Sequence, residues 1–277
     1  MTNLLKSKIN NLIGTISRIL IKTKIFRFIF FKIFDEVNKN LIHSEDSNLK
    51  FYVNNYLNKF RVETLLTKEP DTIKWIDGFN ENEIFYDVGA NIGLYSCYAC
   101  SKGIKSFCFE PSVFNLDLLA KNLSINKLSN KAVIIPISLF SKNSTSNFNL
   151  SNTEQGSALN SFNEKYGYDG NDLKIKMSYK TIGITLDDCI KIFELPQPDH
   201  IKIDVDGIEH LILKGAVNTL SSVKSILIEI SDDFNEQKEN CEKILQSNNF
   251  KLISKQNSEI FRGSKFEKCY NQIWLKK

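Results

Sequence analysis

The run IFYDVGANIGLYSCYACS, residues 84–101, decides the fold. Ile84 to Val88 is apolar apart from Asp87, the pattern of a short strand buried on both faces. Gly89 to Gly93 reads as a turn and Leu94 to Ser101 as a helix. Working outward, Ser106–Glu110 is a second strand. Val113–Leu123 is a helix with Leu at 116, 118, 119 and 123, and Lys131–Ile137 is a third strand. Strands alternating with helices at this spacing predict a parallel sheet covered on both faces.

Residues 138–198 interrupt the alternation with Ser/Asn-rich chain and then alternating Lys174–Tyr179, which predicts an insertion of short antiparallel strands and loops. The pattern then resumes with strand His200–Val205, helix Glu209–Leu220, strand Ser225–Ile230, helix Asn235–Asn248 and strands Lys251–Lys255 and Gln272–Lys276. The last two can pair as an antiparallel edge. Upstream, residues 36–80 are polar and helical in pieces, with Glu69-Pro70-Asp71 as a helix start.

The 277 residues are 42% apolar and 25% charged, an ordinary globular make-up that excludes disordered, collagen-like and disulfide-stapled chains. The expected organisation is a basic helical extension over residues 1–60 and one domain over 61–277. The net charge of +4 is unevenly placed. Residues 1–34 hold seven Lys and Arg and no acid, so the remaining 29 basic and 32 acidic residues leave the body at −3. A mildly acidic body, with no N-P-P-Y-type tetrapeptide, argues against a nucleic-acid partner. The basic head is too interrupted for a membrane span or a secretory signal. It reads as an amphipathic helix that either covers one end of the body or lies at a lipid surface. The expected location is the cytoplasm, and the lipid-surface alternative would place residues 1–34 at the inner face of the membrane. Six Cys without a secretory signal fit a reducing compartment. Cys97 and Cys100 form a C-x-x-C, but no second ligand pair completes a metal site, so packing suffices.

The chemistry is expected at the strand exits. Asp87, Gly89, Asn91 and Gly93 form the first turn, with G-x-x-x-G rather than the G-x-G-x-x-G that admits a pyrophosphate. This weighs against a nicotinamide-dependent oxidoreductase. Glu110, at the end of the second strand, is placed to accept both hydroxyls of a ribose. Asp87 is placed to receive an ammonium, directly or through water. A bend, a carboxylate for ribose and another for an ammonium suit S-adenosylmethionine, a nucleoside with an amino-acid tail and no phosphate. After the fourth strand, Asp204, Asp206 and Glu209 are expected at the topological switch point. Asp204 lies in an otherwise apolar strand, where an unpaired carboxylate is costly.

These motifs together resemble the FkbM family of S-adenosylmethionine-dependent methyltransferases: FYDVGANIGLYS (85–96), FEPSVFNLDLLAKNLSIN (109–126), TLDD (185–188) and IKIDVDGIEHLILKGA (201–216). The resemblance implies an α/β, Rossmann-like class I methyltransferase fold with a mostly parallel seven-stranded sheet. It also implies S-adenosylmethionine as methyl donor and O-methylation of a sugar, glycan or polyketide-like acceptor. Asp204 or Asp206, with His210 a weaker choice, is expected to take the hydroxyl proton, and Asp206 or Glu209 to hold acceptor hydroxyls. No metal is required, although these carboxylates with Glu229 offer an oxygen set for Mg²⁺. A non-enzymatic scaffold on the same fold is the alternative, and would bind no S-adenosylmethionine. Phe162, Tyr166, Tyr168 and Tyr179 are expected to form the small core of the insertion rather than to stack on sugar.

Overall fold

A computed structural model describes residues 3–39, 41–43 and 47–277. Helices α1 (Asn3–Leu20) and α2 (Lys24–Asn38) are followed by a hairpin, β1 (Leu41–His43) and β2 (Lys50–Tyr52), and by helices α3 (Tyr56–Glu63) and α4 (Pro70–Asp77). Next come β3 (Ile84–Val88), α5 (Leu94–Ser101), β4 (Lys105–Phe109), α6 (Val113–Ile125) and β5 (Ala132–Ile135). The insertion supplies β6 (Ser138–Leu139), β7 (Ser144–Leu150), β8 (Asn160–Phe162), β9 (Met177–Ile184) and α7 (Leu186–Ile192). The chain closes with β10 (His200–Ile203), α8 (Glu209–Lys214), β11 (Ser225–Ser231), α9 (Asn235–Ser247), β12 (Phe250–Gln256) and β13 (Cys269–Lys276).

Seven strands form the main sheet in the order β12-β13-β11-β10-β3-β4-β5. The pairs from β11 to β5 are parallel, and β13 runs antiparallel between β11 and β12. The mostly parallel α/β sheet with a reversed C-terminal strand is the expected fold class. Order reverses between β3 and β10, which opens the crevice where such sheets take ligands. Side chains alternate across the sheet. Tyr86, Val88, Ile201, Ile203 and Ile228 face a core closed by α7, α8, α9 and the insertion. Phe85, Cys108 and Leu227 face a second core closed by α4, α5 and α6. All six Cys are buried and unpaired, Cys97 and Cys100 within α5, as packing requires.

The insertion is a four-stranded sheet, β6-β9-β7-β8, antiparallel except where β6 runs alongside β9. Helix α8 stops at Lys214 rather than continuing to Leu220. Gly215 caps it, and a Cβ there would collide with the Phe140 carbonyl oxygen. The packed body begins before the expected boundary at residue 60. Leu49, Phe51, Val53 and Val62 are buried, and Tyr52 N–H donates to Asn122 Oδ1 at 2.9 Å, which ties β2 to α6. Residues 7 to 37, by contrast, include no buried residue.

Candidate active site

The exits of β3 and β10 are pressed together. Asp204 N–H donates to Val88 O at 3.1 Å, and Gly89 (φ +84°) has no room for a Cβ, which would strike the Asp204 carbonyl oxygen. Only glycine suits both the left-handed backbone and that approach. Gly89 and Ala90 then donate to Phe109 O, both at 3.0 Å, carrying the turn across the end of β4. Glu110 fastens the far side of this turn: its Oε2 accepts from Asn91 N–H at 2.7 Å and its Oε1 from Ser112 N–H at 2.8 Å. Burial pushes its carboxyl up to about 7.

Above this crevice lies a cavity of about 490 Å³. Gly89, Asn91 and Glu110 line it on one side, and Asp204, Asp206 and Glu229 on another. Pro111, Ile137 and Leu139 form an apolar wall beside Glu110. Among them is Ser138, nearly buried, with a hydroxyl that has no protein partner. The insertion and α3 complete the enclosure, joined where Arg61 Nε donates to Gly156 O at 2.9 Å.

Three of the expected site residues stand outside this lining. Asp87 is 1% exposed, takes a 2.6 Å hydrogen bond from Ser96 Oγ on Oδ2, and has no partner on Oδ1. Burial raises its pKa. Asp87 lies on the α5 face of the sheet, outside the cavity lining. Gly93 does not face the cavity either. It turns the chain into α5 at φ +82°, and a Cβ would strike Leu119 of α6, so its duty is helix packing. Glu209 is wholly buried. Its carboxylate accepts from Val205 N–H at 3.1 Å, from Gly207 N–H at 3.0 Å and from the Gln237 amide, and burial lifts it to about 7. It holds the 205–207 loop in place from behind. His210 is also fully buried, against Phe234, and burial holds it down at about 4.

Asp204, Asp206 and Glu229 each place a carboxylate oxygen within 4.8 Å of the others. Asp206 sits at φ +64° and accepts from Leu159 N–H at 2.7 Å, a bond that ties the loop after β10 to the insertion. Burial and then the charge of Asp204 push its carboxyl up to about 6. Burial, followed by the neighbouring carboxylates, drives Glu229 well above the usual range.

Lys202 was missed by sequence reasoning. It is 1% exposed, donates to Asp204 Oδ2 at 2.7 Å, lies 5.2 Å above the Tyr95 ring and sits directly opposite Asp87 in the β10–β3 ladder. Desolvation opposes its charge, but Asp204, Asp87 and Glu69 raise its pKa, so the ammonium persists. Glu69 was missed as well. Burial pushes it up, yet Lys68, at 2.7 Å, and Lys202 hold it down at about 2, while Tyr95 OH donates to it at 2.6 Å. Lys202 had a legible signal, since a Lys two residues before Asp204 in a strand shares its face. Glu69, on an earlier loop, had none. Of the four aromatics of the insertion, Tyr166 packs on Phe234, Tyr179 on Phe148 and the buried Phe162 on Phe140; Phe162 and Tyr168 also line the cavity.

The profile of the methyltransferase FkbM domain matches residues 87–252. Among curated proteins, the hexuronic acid methyltransferase AglP of Haloferax volcanii is 31% identical over 187 residues, covering 64% of this chain and 72% of AglP. Methyltransferase sdnD of Sordaria araneosa is 29% identical over 157 residues, covering 48% of this chain and 60% of sdnD. Solved structures with distant likeness include precorrin-6y C5,15-methyltransferase of Geobacter metallireducens. It is 11% identical with a TM-score of 0.43, covering 76% of this chain and 87% of that one. Another is the tRNA m1G37 methyltransferase of M. jannaschii, 12% identical with a TM-score of 0.46, covering 86% and 55%.

Proposed function

Because this chain belongs to the FkbM methyltransferase family, we propose that it transfers a methyl group from S-adenosylmethionine to a hydroxyl of a sugar, glycan or related natural-product acceptor. The observation that carries this reading is the single enclosure holding both the Gly89–Glu110 cradle and the Asp204–Asp206–Glu229 cluster. The cradle fits a nucleoside. Each Glu110 oxygen spends one acceptor site on the turn and keeps another for a ribose hydroxyl. Beside it, the apolar wall of Pro111, Ile137 and Leu139 and the unpartnered Ser138 hydroxyl suit the face and edge of a purine. The Asn91 backbone belongs to this cradle, with Asp87 and Gly93 supporting it from outside the cavity.

When bound, S-adenosylmethionine supplies a methyl group on a sulfonium. The chain supplies alignment, exclusion of water and a place for the hydroxyl proton. A protonated aliphatic hydroxyl is a poor nucleophile, and a positioned base contributes about 10²–10⁴ in rate. Asp206, with its carboxyl raised to about 6, is the base in this reading, since it is ionised at neutral pH yet basic enough to take a proton. Asp204, held by Lys202, and Glu229 accept hydrogen bonds from neighbouring acceptor hydroxyls. Similarity to a protein named as a hexuronic acid methyltransferase supports a sugar acceptor.

The test is mass spectrometry of native glycan and lipid extracts from cells with and without the gene. Loss of a methyl group from one species is expected. Identical methylation in both extracts would overturn the acceptor class.

A further inference from the structure

The N-terminal helices present an apolar surface that the body does not cover. Fifteen of the twenty-nine exposed large apolar side chains among the described residues lie between Ile9 and Val37. On α1 they fall at 9, 12, 13, 16, 19 and 20, one stripe of a helix, with Asn10, Asn11, Ser17 and Arg18 on the other side. Helix α2 is apolar around most of its circumference. Phe26, Phe30 and Phe34 stack at 6.5 and 6.1 Å, while Ile25 and Phe28 are 75% and 66% exposed. An uncovered patch of this extent marks an interaction surface.

Its charge selects the occupant. Lys6, Lys8, Arg18, Lys22, Lys24, Arg27 and Lys32 are all of one sign, with the first acid at Asp35. A second copy would bring these like charges together. The body, at −3, has the attracting sign, yet residues 7 to 37 bury nothing against it. No described helix is long and apolar enough to cross a membrane. We infer that α1 and α2 lie flat on an anionic lipid surface, with Leu, Ile and Phe among the acyl chains and Lys and Arg at the headgroups. The methyltransferase cavity is then held beside a membrane. The inference stands on the helices alone and is independent of the acceptor.

Co-sedimentation of the full chain with vesicles of phosphatidylcholine, with and without roughly a third phosphatidylglycerol, tests it. Binding at least about tenfold tighter to the anionic vesicles is expected, weakening as salt rises. Phe28→Ser with Phe31→Ser should weaken binding to both, and K22E/K24E/R27E should erase the preference for anionic lipid. These residues are exposed, so an unchanged melting temperature confirms that the body is intact. Absence of binding to anionic vesicles, or equal binding to both, overturns the inference. So does a dimer that the Phe double variant splits in sedimentation velocity while vesicles stay unbound.

Discussion

Asp206 and Glu209 are three residues apart, and burial raises both carboxyls, yet only Asp206 opens onto the cavity. Their substitutions should therefore separate. Asp206→Asn is expected to lower turnover about 10²–10⁴-fold with S-adenosylmethionine affinity kept. In the parent enzyme turnover should fall as pH drops below about 6, where the base becomes protonated. Near-normal turnover in both Asp204→Asn and Asp206→Asn would remove these residues from the chemistry. Glu209→Gln should leave turnover near that of the parent and change stability instead. A carboxyl raised from about 4.5 unfolded to about 7 folded favours the fold fully below pH 4.5 and loses that contribution as pH rises through 7. The fall in melting temperature between pH 5 and 8 should thus be shallower in Glu209→Gln, and an unchanged slope would contradict the assignment. Undiminished activity in a chelator is expected. A loss restored by Mg²⁺ would instead make the 204–206–229 carboxylates ligands. Asp206 and Glu110 line the cavity because both stand at strand exits, a position legible in the motif. Asp87 and Glu209 stand outside the lining because the direction of a side chain depends on packing partners, here Ser96 and Gln237.

At the scale of elements, the turn after β3 is set by its contact with β10. Gly89→Ala should cost at least about 1–2 kcal/mol from the left-handed backbone alone, with more from the collision with Asp204 O. A denaturation midpoint equal to that of the parent would show that the two strand exits are not pressed together. The strands and α5 were legible because runs buried on both faces and a glycine turn are local signals. The end of α8 was hidden because Gly215 answers to the Phe140 carbonyl oxygen, 75 residues earlier in the chain. The insertion was legible as short strands, but its tie to Asp206 through Leu159 was not, since that bond forms only once the sheet has formed.

The whole molecule joins an acidic body, which holds the cavity, to a basic pair of helices that contributes no buried residue over positions 7 to 37. The composition showed this division of charge; the extent of the body, reaching back to Leu49, came from the packing of β2 on α6. The chemistry assigned to the body depends on the cradle formed by Gly89, Asn91 and Glu110 taking an adenosyl compound. Isothermal titration of the full chain with S-adenosylhomocysteine measures this most directly. One saturable site per chain is expected, lost in Glu110→Ala with the melting temperature checked alongside, whereas no heat from a folded protein would contradict it.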